Sequence, residues 1–191
     1  TRLNQFQFAN LMSNNLKITN SLTRKKELFK PINSKQITMY ACGPTVYDNP
    51  HVGNARTLVV FDILFRVLRL VYKNVNYVRN ITDIDDKIIE ASKKINKPIG
   101  EITKEVSKVF QENCKALNCL PPTKEPKATD HVKEMIDMTK SLIKKNFAYT
   151  SGGHVYFSVI SFEKYGKLSN KNLNELKSGS RIEVSNFKKS P

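Results

Sequence analysis

Two β-favouring stretches flank one long amphipathic helix pattern, and this arrangement narrows the folds open to the chain more than any other feature. Gln36 to Ala41 places Ile37, Met39 and Ala41 at alternate positions, as in a strand with one buried face. From Arg56 to Tyr72 the apolar residues Val59, Val60, Ile63, Leu64, Val67, Leu68 and Val71 recur at helical spacing. Val75 to Ile81 is rich in β-branched and aromatic residues and predicts a second strand. Strand, crossover helix and strand make a βαβ unit, with parallel strands and a right-handed connection. The expected fold class is therefore α/β with a parallel sheet. In open parallel sheets ligands sit beyond the carboxyl ends of the strands. Here those ends are Cys42-Gly43 and Asn80-Ile81-Thr82-Asp83.

Further along, Thr82 and Asp85 have the spacing of a capping box, which predicts a helix from about Asp83 to Ile95. Pro98 opens another, with Ile102, Val106, Val109, Phe110, Cys114 and Leu117 on one stripe, so Cys114 reads as a small core residue. "LPPTKEP" reads as a loop, and Thr129 or Asp130 as the cap of a helix running to about Lys145. "NFAYTSGGHVYFSV" predicts a hairpin about Ser151-Gly152-Gly153. The polar tail from Ser161 carries a short helical patch near Lys171 to Leu176.

The 191 residues carry 32 basic against 17 acidic side chains, a formal charge of +15. Such an excess attracts polyanions, nucleic acid above all. A Lys- and Asn-rich composition set by base bias, giving a merely solvated surface, is the alternative. Cys42, Cys114 and Cys119 are an odd number without framework spacing, which favours a reducing compartment over a secreted disulfide scaffold. The most apolar run, Leu58 to Val71, is broken by Asp62, Arg66 and Arg69 and is no membrane span. The first 26 residues hold five basic and no acidic side chains, as an organellar targeting segment does. Met12 begins a more ordinary protein start, so residues 1–11 read instead as tag or read-through. The expected division is a disordered extension or tag over 1–15 and, over 16–191, the N-terminal half of an α/β domain with inserted helices and a hairpin.

At the first strand's end, His51-Val52-Gly53-Asn54 sits where a helix begins. Unpaired N–H groups and the helix dipole favour phosphate there. His51 and Asn54 can donate to phosphate oxygens, and Gly53 permits close approach. A lone histidine at this position is otherwise a capping or surface residue, and a strand-end Cys42 is otherwise a packed one. Asp83, Asp85 and Asp86 read either as magnesium ligands or as charges favouring a helix N-terminus, the simpler account. His131 and His154 receive no role.

In series, "CGPTVYD", "HVGN" and "NITDIDDKI" resemble the cysteinyl-tRNA synthetases, class I aminoacyl-tRNA synthetases. His51 to Asn54 is similar to that class's His-Ile-Gly-His signature in an Asn-ended form. The resemblance runs from about Leu16 to Pro191 and includes "SLTRKKELFKPI", "VYKNVNYVRNITDIDDKII", "EPKATDHV" and "YGKLSNKNLNELKSGSRIEV". It implies a Rossmann-type catalytic domain with a helical insertion and a small hairpin. It further implies activation of cysteine by ATP with magnesium, transfer of the cysteinyl group to tRNA(Cys), and a cytoplasmic or organellar setting. On this resemblance His51 and Asn54 are catalytic, and Thr45, His51, Gly53 and Asn54 bind ATP. Cys42, Gly43 and Thr82 then bind cysteine, with Cys42 also a zinc ligand. Zinc would select sulfur over oxygen by ligand softness where pocket shape separates such side chains poorly.

The family's other zinc ligands and its Lys-Met-Ser-Lys-Ser signature have no counterpart among these residues. The expectation is an N-terminal half of a catalytic domain, needing a C-terminal half and poorly active alone. Two rivals share its features: a cysteine ligase acting on an amino-sugar, of mycothiol type, and a non-catalytic RNA-binding remnant.

Overall fold

In the computed structural model, residues 15–170 are described, in two compact units. One holds Leu28–His131; the other holds Lys17–Glu27 together with the chain from Val132. The predicted patch at Lys171 to Leu176, and the extension before residue 15, lie outside the described residues. The elements in chain order are β1 (Lys17–Asn20), β2 (Lys25–Leu28), β3 (Ile37–Ala41), α1 (Val52–Val71), β4 (Val75–Arg79), α2 (Asp86–Ile95), α3 (Ile99–Ala116), a 3-10 turn (Ala128–His131), α4 (Val132–Lys144), β5 (Ala148–Ser151) and β6 (His154–Phe157).

The expected βαβ unit is the centre of the first unit. β3 and β4 pair in parallel, from Ile37 opposite Val75 to Ala41 opposite Arg79, with α1 as the crossover. The alternation in β3 buries Ile37, Met39 and Ala41, which pack with Phe65 and Leu68 of α1 and with Tyr77 of β4. Tyr40, on the opposite face, is 64% exposed. A second cluster joins Val46, Leu58, Ile81, Phe110 and Cys114, so α3 closes the core where the strands end.

Two expectations need correcting. Thr82 does not cap the helix that follows: Asp85 does, accepting from the Lys87 N–H, and α2 begins at Asp86 rather than near Asp83. Thr82 is instead held in the sheet, where its N–H donates to Pro44 O and its O accepts from Val46 N–H. The segment read wholly as a loop also adds an edge to β4. Arg79 N–H donates to Lys124 O and Ile81 N–H to Pro126 O, through isolated parallel bridges at Val78–Lys124 and Ile81–Lys127. Pro126 lacks an N–H but serves there as an acceptor.

The second unit carries the predicted hairpin. β5 and β6 pair antiparallel with Ser151 opposite His154. Gly152 (φ 56°) and Gly153 (φ 78°) take the two turn positions, where left-handed backbone matches the strand twist. The β1–β2 pair was not expected from the sequence. Among the described residues no helix is long and apolar enough to cross a membrane.

The three cysteines form no disulfide and differ in access: Cys42 is exposed, Cys119 half-buried and Cys114 buried. Burial pushes the Cys114 thiol above its ordinary pKa, which starves it of reactive thiolate. Substoichiometric iodoacetamide is therefore expected to label Cys42 before Cys114 in the folded chain, read by peptide mass spectrometry. Equal native labelling of the two would contradict this packing.

Candidate functional site at the carboxyl rim of the parallel sheet

Pairing between the two strand ends continues past the strands themselves. Thr45 bridges Thr82 in parallel, and the two Thr82 backbone bonds fix residues 44–46 against residues 80–82. Gly43 stands at the tightest point. A Cβ there would lie 1.6 Å from the Asn80 carbonyl oxygen and 2.7 Å from its carbon, so no side chain fits without separating the rim. Cys42 is thereby held at an exposed corner just beyond β3.

The 20-residue α1 begins with a reciprocal cap. His51 Nδ1 accepts from Gly53 N–H at 3.0 Å, while Asn54 Oδ1 accepts from His51 N–H at 3.0 Å. This is capping-box logic carried out by His and Asn instead of Ser and Glu. Because Nδ1 accepts, the neutral ring carries its proton on Nε2 and keeps that donor for another partner. The first turn of α1 contains no acidic residue, though Asp48 borders the same space as His51 and Asn54. The ring lies against Gly53, where an added Cβ would meet His51 Cε1 at 2.7 Å.

Two cavities lie along this rim. One, of about 220 Å³, is lined by Cys42, Gly43, Asn54, Tyr77, Arg79 and Phe110 among others. The second, of about 240 Å³, is lined by Gly43, Thr45, Asn54, His51, Val106 and Phe110 among others. Gly43, Pro44, Asn54 and Phe110 belong to both, so Cys42 and His51 border adjoining spaces with a common wall. The structure thus brings Cys42, Gly43, Thr45, His51 and Asn54 to one rim. Gly53 sits beneath the His51 ring, and Thr82 lines neither cavity.

Two residues central to the rim were not singled out from the sequence. Asn80 hydrogen-bonds Gly43, Tyr40 and Thr82. Arg79, 4% exposed, donates through Nε and a terminal nitrogen to Glu125 Oε1 at 3.0 and 2.6 Å, and stacks over the Phe110 ring at 4.9 Å. Burial alone would lower the Arg79 pKa, but the hydrogen bond and charge of Glu125, with smaller help from Cys114 and Tyr77, raise it above the ordinary guanidinium value. Gln111 Nε2 donates to the other Glu125 oxygen.

The acidic run is occupied locally. Asp83 accepts from Thr129 N–H and Oγ1–H at 3.0 and 2.6 Å, and Asp85 caps α2. Among the described residues no three His, Cys, Asp or Glu side chains gather as a metal site. Zinc takes four ligands. The rim offers one, Cys42, and does not by itself fit the ion.

A parallel βαβ core with a glycine-tight turn and a capped helix N-terminus at one rim is the arrangement of a Rossmann-type α/β fold. The chain belongs to the tRNA synthetases class I (C) catalytic domain family, which it matches over residues 28–191. It is 56% identical over 180 residues to the cysteine–tRNA ligase of Pelagibacter ubique (strain HTCC1062), covering 93% of this chain and 40% of that enzyme. To the cysteine–tRNA ligase of Wolbachia pipientis subsp. Culex pipiens it is 52% identical over 176 residues, covering 92% and 38%. To that of Rickettsia bellii it is 50% identical over 174 residues, covering 90% and 38%. The chain spans about two fifths of the length of these relatives.

Proposed function

We propose that this chain supplies the ATP- and cysteine-facing rim of an enzyme that activates cysteine and charges tRNA(Cys). The observation that carries the reading is the pair of adjoining cavities, one bordered by Cys42 and one by His51, with Gly43 and Asn54 common to both. In the reaction the cysteine carboxylate oxygen attacks the α-phosphorus of ATP and the bond to pyrophosphate breaks. The terminal ribose hydroxyl of tRNA then attacks the cysteinyl carbonyl and releases AMP.

Each residue contributes what its placement allows. His51 Nε2–H and the Asn54 amide, at the positive end of α1, donate to phosphate oxygens as charge gathers in transfer. Thr45 faces the same space, and Gly53 leaves room for the imidazole beside the helix start. Gly43 and Cys42 border the amino-acid space, with Thr82 behind the rim. Zinc, were it completed by ligands outside this rim, would hold the substrate thiolate at Cys42. The excess of positive charge suits a tRNA partner, and the unpaired cysteines suit the cytoplasm or another reducing compartment.

The test joins residues 16–191 to the remaining portion of the Pelagibacter ligase in place of its matching segment. The hybrid is expected to catalyse cysteine-dependent ATP–pyrophosphate exchange and to charge tRNA(Cys) rather than an amino-sugar. His51→Ala should cut exchange by about 100-fold, the usual size for losing one donor to a transferring group. The 191-residue chain alone should exchange near background. Exchange unaffected by His51→Ala would sink the reading.

A further inference from the structure

We propose that the cavity at the amino-terminal edge of the parallel strands is a second site, one that takes the ribose–phosphate backbone of RNA. It lies at the opposite end of β3 and β4 from the rim, five residues of strand or about 17 Å away.

The cavity encloses about 1000 Å³. Lys35 before β3, Arg69 in the last turn of α1, Lys73 before β4 and Lys124 beside β4 line it. Among the described residues no Asp or Glu does. Nor has any of the four cations a carboxylate partner among the described residues, whereas Lys97 pairs with Glu105 and Lys108 with Glu112 elsewhere on the same unit. Like charges around one cavity repel, so the compensating anion must come from outside. Arg69 also suits the negative end of the α1 dipole, which makes the lysines the more telling. The backbone beneath them is fixed. Lys35 N–H donates to Asn33 Oδ1 at 2.9 Å, Asn74 Nδ2 to Lys35 O at 3.2 Å, and Ile37 N–H to Asn74 O at 2.9 Å. The turn carrying Lys35 is thereby tied to the turn carrying Lys73 before any ligand arrives.

An unmet acceptor narrows the choice of anion. Asn76 of β4 lines the same cavity, and its Oδ1 is buried without a hydrogen-bond partner among the described residues. A buried acceptor left open is unfavourable and calls for a donor. Phosphodiester oxygens only accept, so an anion that merely neutralises the lysines leaves Asn76 as it was. A 2′-hydroxyl can donate. In RNA it comes joined to phosphates, and in DNA it is missing.

The test measures binding of a tRNA(Cys) transcript, and of its DNA copy, to the 191-residue chain by fluorescence anisotropy over a series of salt concentrations. The parent is compared with Asn76→Ala, with Lys97→Ala and with the double variant Lys35→Ala with Lys73→Ala. Both cavity lysines are exposed and Asn76 Oδ1 has no bond to lose, so folding is kept. The double variant is expected to lower the slope of log K against log salt by about two, one for each lost phosphate contact. Lys97→Ala, which removes an ion-paired lysine outside the cavity, should leave the slope unchanged. Asn76→Ala should keep the slope and shrink the preference for RNA over DNA by about fivefold, the size of one neutral hydrogen bond. A parental slope in the double variant overturns the proposal, as does an RNA preference that Asn76→Ala leaves intact. A slope loss in Lys97→Ala equal to that per cavity lysine would mark general charge attraction and overturn it too. Poly-L-glutamate that displaces the transcript as well as unlabelled RNA does, at equal charge, would assign the cavity to an acidic protein segment instead. The exchange reaction uses no RNA, so each of these results leaves the proposed function standing.

Discussion

Alanine at position 43 is expected to destabilise the chain by about 3 kcal/mol or more, the upper end for inserting atoms where nothing can yield. Its Cβ would stand 1.6 Å from the Asn80 carbonyl oxygen, and that atom belongs to backbone rather than to a side chain that could swing aside. The neighbouring bonds close the escape routes. Thr82 N–H to Pro44 O at 3.0 Å and Val46 N–H to Thr82 O at 3.1 Å lie immediately beyond the clash, and Gly43 N–H is held at 2.8 Å by Asn80 Oδ1. Relief requires the strand ends to part, which breaks several bonds at once and opens the cluster of Val46, Ile81 and Phe110 to water. In urea the far-ultraviolet dichroism midpoint should fall by roughly 1 M or more, given ordinary denaturant slopes for domains of this size. Gly100→Ala is the control: an added Cβ meets nothing within 4 Å in the first turn of α3, and its effect should be neutral or slightly stabilising. A Gly43→Ala midpoint equal to that of the parent would mean the rim is wider than these distances state.

The parts of this fold that were legible in the sequence are those decided by local periodicity. The alternation of Ile37, Met39 and Ala41 foretold the buried face of β3, and the helix and its parallel crossover were legible too. The face that α1 buries was not, because Leu58, Asp62, Phe65 and Leu68 take the core while Val60 and Ile63 of the predicted stripe are exposed. The rim positions followed, because parallel strands put Cys42-Gly43 and Asn80-Thr82 at the same edge. What failed was what depends on distant partners. Thr82 has the composition of a cap, yet sheet pairing with Thr45 claimed it and left Asp85 to cap α2. Arg79 has the look of a solvent-facing strand residue. Only Glu125, 46 positions away, makes its burial affordable, and no spacing rule reaches that far. Pro121, Pro122 and Pro126 advertise a loop, while the segment they punctuate still gives its carbonyls to β4. Asn80 reads in the sequence only as part of a strand end, because its importance lies in three simultaneous bonds to Tyr40, Gly43 and Thr82.

The Arg79–Glu125 pair should show the second large effect, and its two mutants taken together carry more than either alone. Arg79 is almost wholly buried while Glu125 keeps some exposure, with side-chain values of 5% and 21%. Arg79→Met removes the charge but keeps much of the stem that lies over Phe110. It leaves the Glu125 carboxylate beside an apolar core with Gln111 as its remaining side-chain donor. Stranding one charge of a buried pair costs about 3–5 kcal/mol, and the exposure of Glu125 places the expected loss near the lower figure. Glu125→Leu strands the more buried partner and should cost more. The double variant Arg79→Met with Glu125→Leu should recover most of the loss, because the desolvation penalty of both ions disappears with their attraction. Thermal midpoints of the four proteins give the coupling directly. Recovery would show that the ion pair, whose Arg79 lines the Cys42-side cavity, is not a net source of stability. Losses that simply add would instead show that each side chain acts through separate contacts, Arg79 through Phe110 and Glu125 through Gln111.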